Sequence, residues 1–123
     1  MIIKKKGGRP PVLLDVEMKK DTLFVRPNGE LDLGVADRFR RTLDETIEKG
    51  KAKNLVFNLT RVSFVDSSGL GVLLGRYKRV SKQGGKVFIV SPQPQVRKVL
   101  DLSGLLRIMN EFPNENEALE KIG

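Results

Sequence analysis

The chain opens without an apolar period and then falls into alternation. Residues 1–11 hold Lys4-Lys5-Lys6-Gly7-Gly8-Arg9-Pro10-Pro11, linker chemistry that predicts a mobile tail. From Val12 to Met18, Val12, Leu14, Val16 and Met18 alternate with Leu13, Asp15 and Glu17, the period of a strand. Lys19-Lys20-Asp21 reads as a polar turn and Thr22–Arg26 as the second strand of a hairpin, broken by Pro27-Asn28-Gly29. Val35, Phe39, Leu43 and Ile47 recur one helical turn apart and predict a helix from about Val35 to Lys49, with Gly50 as its C-terminal stop. Asn54–Leu59 is a near-continuous apolar run, as in a strand buried on both faces, and Ser63-Phe64-Val65 closes that region.

Leu70, Leu73, Leu74, Tyr77 and Val80 define a second helix that starts at Ser67 or Ser68 and ends before Gly84-Gly85. Val87–Val90 is another buried strand and Pro94–Leu102 a third helix, stopping at Gly104. Leu106-Arg107-Ile108 fits a short edge strand, and Glu115–Ile122 a last helix with Ala118, Leu119 and Ile122 inward. Strands alternating with helices after a hairpin predict one α/β domain, residues 12–123, with a partly parallel sheet.

Composition narrows the chemistry. Among 123 residues there is no cysteine and no histidine. Disulfides, thiolates, serine–histidine pairs and the usual zinc ligands are therefore excluded, and no metal or cofactor is expected. No run approaches the ~18 apolar residues of a membrane span, and Met1-Ile2-Ile3-Lys4 lacks the order of a secretory signal, so a cytoplasmic protein is expected. The net charge is +8, and Lys4, Lys5, Lys6 and Arg9 carry about half of it. Charge alone would admit a nucleic-acid partner, but one tyrosine and no tryptophan leave no stacking platform.

One segment concentrates the remaining chemistry. Ser63-Phe64-Val65-Asp66-Ser67-Ser68-Gly69-Leu70-Gly71 leaves a buried strand and enters a helix. Two hydroxyls sit where unpaired N–H groups and the helix dipole favour negative charge. Either serine could simply cap the helix. A phosphate placed there would be accommodated by the helix N-terminus and would act on whatever binds the surface, while Gly69 and Gly71 would let a partner's backbone approach. A nucleophile elbow is excluded, because Gly-x-Ser-x-Gly and histidine are both missing. Gly69-Leu70-Gly71 and Gly84-Gly85-Lys86 lack the spacing of nucleotide-binding loops.

Phe64 to Lys78 resembles the signature of the anti-sigma factor antagonists of the bacterial STAS-domain family, Leu74-Gly75-Arg76-Tyr77-Lys78 being its more discriminating part. Gly29-Glu30-Leu31-Asp32 and Leu102-Ser103-Gly104-Leu105 are similar to two further family loops, in the same order. The resemblance implies a mixed sheet of about four to five strands with about four helices, lying on one side. It implies a regulator, not an enzyme. The unphosphorylated protein would bind an anti-sigma factor that is also an ATP-dependent serine kinase and release the sigma factor. Phosphorylation on Ser68 would end the interaction and a serine phosphatase would restore it. The closest pattern is that of sporulation control, with another partner-switching or stress-response pathway as the alternative. Asp32, Asp66, Ser67, Gly69, Leu70 and Gly71 would form the partner surface of a protein that is monomeric when free. The basic tail and the +8 charge lie outside what the resemblance implies.

Overall fold

The computed structural model describes residues 1–122. Seven strands, five helices and one 3₁₀ turn follow in chain order. They are β1 (Ile2–Ile3), the 3₁₀ turn (Lys6–Gly8), β2 (Val12–Lys19), β3 (Thr22–Leu31), α1 (Leu33–Gly50), β4 (Asn54–Asn58) and β5 (Arg61–Val65). After these come α2 (Ser67–Lys82), β6 (Val87–Val90), α3 (Pro94–Leu102), α4 (Leu105–Ile108), β7 (Asn110–Phe112) and α5 (Glu115–Ile122). The sheet is mixed and runs β1-β2-β3-β4-β6-β7, with β5 also on β3. β1–β2 and β2–β3 are antiparallel, and the other pairs are parallel.

The centre of the sheet is buried on both faces, and the period of two sorts its residues. Leu23, Val25, Leu55, Phe57, Val87 and Ile89 join the main core with α1, α2 and α3. Phe24, Val56, Phe88 and Val90 point the other way, onto Ala118, Leu119 and Ile122 of α5. Helices thus cover both faces, which corrects the one-sided arrangement implied by the resemblance. The α1 stripe is as the spacing predicts: Val35, Phe39, Leu43 and Ile47 are all buried. Each contributes roughly 1.5–3 kcal/mol of transfer free energy.

Four local expectations change. Pro27-Asn28-Gly29 does not end the second strand, which continues to Leu31. On its parallel side β3 pairs with β4 through Val25 and with β5 from Asn28, so Pro27, which has no N–H to donate, falls in the interval between partners. Gly29, at φ +135°, sits at the register shift between β3 and β5. Gly50 is still helical, and the left-handed residue that stops α1 is Lys51, at φ +51°. Gly50 is small for another reason: a Cβ there would come within 3.0 Å of the Met18 sulfur. Leu105–Ile108 is a short helix, and the edge strand lies just beyond it, at Asn110–Phe112.

The fourth change concerns the N-terminal segment. Ile2 and Ile3 pair with Leu13 and Val12, and the Met1 ammonium donates to the Leu14 carbonyl at 3.1 Å. Ile3 and Lys5 are buried. Apolar residues at 2 and 3 and a charge partner for Lys5 seat the segment despite its linker-like composition.

β4 and β5 together form one strand interrupted at Leu59-Thr60. The break follows the Asn58 side chain, which accepts from the Thr60 backbone N–H at 3.1 Å. β5 thereby leaves β6, and its free edge is covered by α3: Gln93 donates to the Thr60 carbonyl and Gln95 to the Ser63 carbonyl. This divergence brings the C-terminal end of β5 beside that of β3, where the loops leading into α2 and α1 meet.

Candidate functional site at the junction of two helix starts

Asp66 organises the junction. It is the N-cap of α2, with extended backbone (φ −99°, ψ −174°). Its Oδ1 accepts from the N–H groups of Ser68 at 2.8 Å and Gly69 at 3.0 Å. Its Oδ2 accepts from the Leu33 N–H, at the start of α1, at 3.0 Å. The Asp66 N–H donates to the Leu31 carbonyl at 3.2 Å, so one residue ties both loops together. The expectation that Ser67 or Ser68 caps this helix is therefore corrected: they are its first two residues. An aspartate before Ser-Ser has two advantages over either serine here, namely a full charge at a helix N-terminus and two oxygens aimed at different loops.

Ser67 is exposed and Ser68 half-buried. Ser68 lines a shallow groove of about 320 Å³ between α1 and α2, with Leu33, Ala36, Asp37, Arg40, Gly71 and Val72. Leu33 is 76% exposed. Gly71 is exposed, with open space where a Cβ would stand. Gly69 differs: it is buried, and a Cβ there would overlap the Leu31 carbonyl oxygen. The backbone that approaches Gly69 is the chain's own, not a partner's. Leu70 is half-buried against the main core.

Asp32 is also placed unexpectedly. It caps α1, accepting from the Gly34 N–H at 3.0 Å, and its side chain is only 4% exposed. Lys5, from the N-terminal segment, reaches it at 3.0 Å and Arg9 at 3.2 Å. The structure thus brings Asp32, Asp66, Ser67 and Ser68 to one junction, but covers the Asp32 carboxylate with two cations. Neither cation was legible as part of the site. The only local signal is their basic character, which equally suits a solvated tail.

Arg40 is a further residue that the sequence did not single out. Its Nη2 lies 2.6 Å from Asp37, and Arg41 is 3.1 Å from the same carboxylate. Hydrogen bonding from Arg40, then the charge of Arg41, holds Asp37 below its ordinary pKa. Farther along the same seam, Asp44 pairs with Arg76 at 3.0 Å and Arg79 at 3.1 Å. The Arg76 N–H groups are poorly aligned, so its buried Nε and Nη1 lack a hydrogen-bond acceptor among the described residues. Burial holds this guanidinium below its ordinary pKa, opposed by Asp44 and reinforced by the positive charges of Arg40 and Arg79.

No group of three or more potential ligands gathers as a metal site among the described residues, and no described helix is long and apolar enough to cross a membrane. What the junction offers is a pair of hydroxyls on a fixed turn beside an apolar-rimmed groove.

That arrangement coincides with a known family. The STAS domain family model matches residues 14–118. An anti-sigma F factor antagonist of Paenibacillus polymyxa is 39% identical over 109 residues, which cover 89% of this chain and 93% of the relative. The structure of the anti-sigma factor antagonist SpoIIAA in its unphosphorylated form superposes with a TM-score of 0.78 at 33% identity, covering 89% of this chain and 96% of that one. The Bacillus cell fate determinant SpoIIAA in its phosphorylated form gives 0.72 at 32% identity, covering 90% and 100%. The chain belongs to the STAS-domain family, within its anti-sigma factor antagonists, which are regulators and not enzymes.

Proposed function

We propose that the unphosphorylated chain binds an anti-sigma factor that is also a serine kinase, with ATP or ADP on the kinase, and so releases a sigma factor of the F type that directs sporulation transcription. Phosphorylation of Ser68 ends the interaction and a serine phosphatase restores it, all in the cytoplasm, with the free chain monomeric. The observation that carries this reading is the Asp66 turn. It fixes Ser67 on the exposed face of the turn and Ser68 in an accessible groove, with Asp66 bonded to backbone N–H groups and Asp37 to Arg40.

In the transfer, the Ser68 Oγ forms a bond to the γ-phosphorus of ATP as the bond from that phosphorus to the β–γ bridging oxygen breaks, leaving ADP. The hydroxyl proton passes to a base supplied by the kinase. This chain contributes position: a hydroxyl on the first helical turn, whose backbone is held by the Ser68 and Gly69 N–H groups donating to Asp66. Asp66, Ser67 and Gly71, with the exposed Leu33, form the surface that meets the kinase; Gly69 and Asp32 shape it from beneath, and Leu70 anchors the turn to the core.

The test is incubation with ATP and the anti-sigma F factor of Paenibacillus polymyxa, followed by mass spectrometry. One added phosphate is expected, absent from Ser68→Ala and retained in Ser67→Ala. Modification that persists in Ser68→Ala but not in Ser67→Ala moves the acceptor to Ser67. Ser68→Asp is expected to lose kinase binding while its thermal midpoint stays within a few degrees of the parent; unfolding would contradict a surface switch.

A further inference from the structure

A phosphate on Ser68 meets a problem that the bare sequence does not reveal. Two of the helix N–H groups that would receive it are taken: those of Ser68 and Gly69 both donate to Asp66. The same carboxylate adds a negative charge next to the modified residue. Lys5 and Arg9 are committed to Asp32, and Arg76 is buried against Asp44. Among the residues lining the Ser68 groove, Arg40 is the cation. It lines the groove with Ser68, and its side chain is 46% exposed and free to turn.

We infer that Arg40 is the built-in counter-charge for phosphoserine 68: it exchanges Asp37 for the phosphate and holds the modified serine in the α1–α2 groove. This rests on the Ser68 reading above and adds to it the residue that distinguishes the two states. The exchange is easy in three respects. The Arg40–Asp37 pair is an exposed i,i+3 contact, among the weakest of ion pairs, whereas guanidinium and phosphate pair through two parallel hydrogen bonds. Asp37 is not stranded, because Arg41 stays 3.1 Å from it. Along the seam, Arg40 and Arg41 pair with Asp37, and Arg76 and Arg79 with Asp44. With Asp66 counted as well, the four cations exceed the three carboxylates by one positive charge, which draws a phosphate carrying about −1.5 to −2 at neutral pH toward the seam.

One consequence is that phosphorylation changes the groove as well as the serine: Arg40 closes over the position that a partner would read, and Asp37 turns from a shared to a singly paired carboxylate.

The test places phosphoserine at position 68 by codon reassignment, so that it does not depend on any kinase, and follows the phosphate by ³¹P NMR from pH 4 to 9. The charged groups near it are Asp66 from the β5–α2 loop, Asp37, Arg40 and Arg41 from α1, and Arg76 from α2. In Arg40→Gln the second phosphate pKa should rise by about half a unit to one unit over the parent, the lower end of what one nearby opposite charge produces when partly screened. Arg40→Lys should recover part of the shift, and Arg41→Gln should leave the titration unchanged. Both positions are exposed on α1, so the variants fold. A titration identical in the parent and Arg40→Gln, or an equal shift in Arg41→Gln, overturns the clamp. Failure of the kinase to label Ser68 would instead remove the functional reading and leave this titration standing.

Discussion

At the residue scale, neighbouring positions of one motif have opposite physical demands. Asp66 satisfies two N–H groups of α2 and one of α1 with a single carboxylate. Asp66→Ala should cost about 2 kcal/mol, a strong cap together with a lost charge-assisted bond. Asp66→Asn, which keeps one acceptor oxygen for the cap, should fall between the two. Urea unfolding midpoints measure both. Gly69→Ala should cost about 2–4 kcal/mol, because the new methyl meets a backbone carbonyl that cannot swing away. Gly71→Ala enters open space on a helix and should stabilise by about 0.5–1 kcal/mol. If the two glycine variants proved equally tolerated, the packing of α2 on the end of β3 would be misread. In the sequence these glycines differ only in being two residues apart. Which one faces Leu31 depends on how α2 lies against β3.

At the scale of elements, the termini of α1 are where local rules and tertiary packing part company. Glycine is the favoured residue for the left-handed position after a helix, yet here Lys51 takes it and Gly50 stays helical against Met18. Lys51→Gly should therefore stabilise the protein by about 0.5–1 kcal/mol in thermal melts. At the other end, the Asp32 cap is buried beneath the N-terminal segment. Breaking a buried ion pair costs about 3–5 kcal/mol when one charge is left alone. Arg9 remains near Asp32 and is itself half-exposed, so Lys5→Ala should cost less, about 2–3 kcal/mol. Much of that should be regained when Asp32→Asn is added, and a double-mutant cycle in urea reads the coupling directly. Additive effects would show that the segment lies on the sheet without being held by this pair.

At the scale of the whole molecule, stability is divided between two faces of one sheet. The larger core lies under α1 to α4 and the smaller under α5. α5 is held at its start by Glu115, which accepts from Arg26 on β3 at 2.7 Å and from Asn58 on β4 at 2.8 Å. The Arg26 hydrogen bond is the main reason that the Glu115 carboxyl lies below its ordinary pKa, and burial opposes it. A carboxylate with a depressed native pKa adds stability that is present above its unfolded value, near 4.5. That contribution is lost as the pH falls from there through the lowered native value. Acidification below about pH 4.5 should therefore loosen α5 first, seen as faster amide exchange in Glu115–Ile122 than in α1. Glu115→Gln should remove that step at a cost of about 1–2 kcal/mol at neutral pH.

Periodicity alone determined the helix of the Val35–Ile47 stripe, the buried runs at 54–59 and 87–90, and the α2 face, since a repeat of 3.6 or 2 records which side of an element meets a core. The residue inventory, without histidine or cysteine, removed most catalytic chemistry, and the Asp66-Ser67-Ser68 turn was visible because caps and glycines are local. Tertiary structure decided the rest. Lys5 and Arg9 meet Asp32 only because β1 joins the sheet, Leu33 meets Asp66 only because β5 diverges toward the end of β3, and Arg40 shares a groove with Ser68 only because α1 and α2 lie side by side. Each joins residues from different elements, so no window of sequence contains the interaction. The N-terminal segment is the sharpest case: its composition is that of a solvated tail, and it is seated by a carboxylate more than twenty residues away.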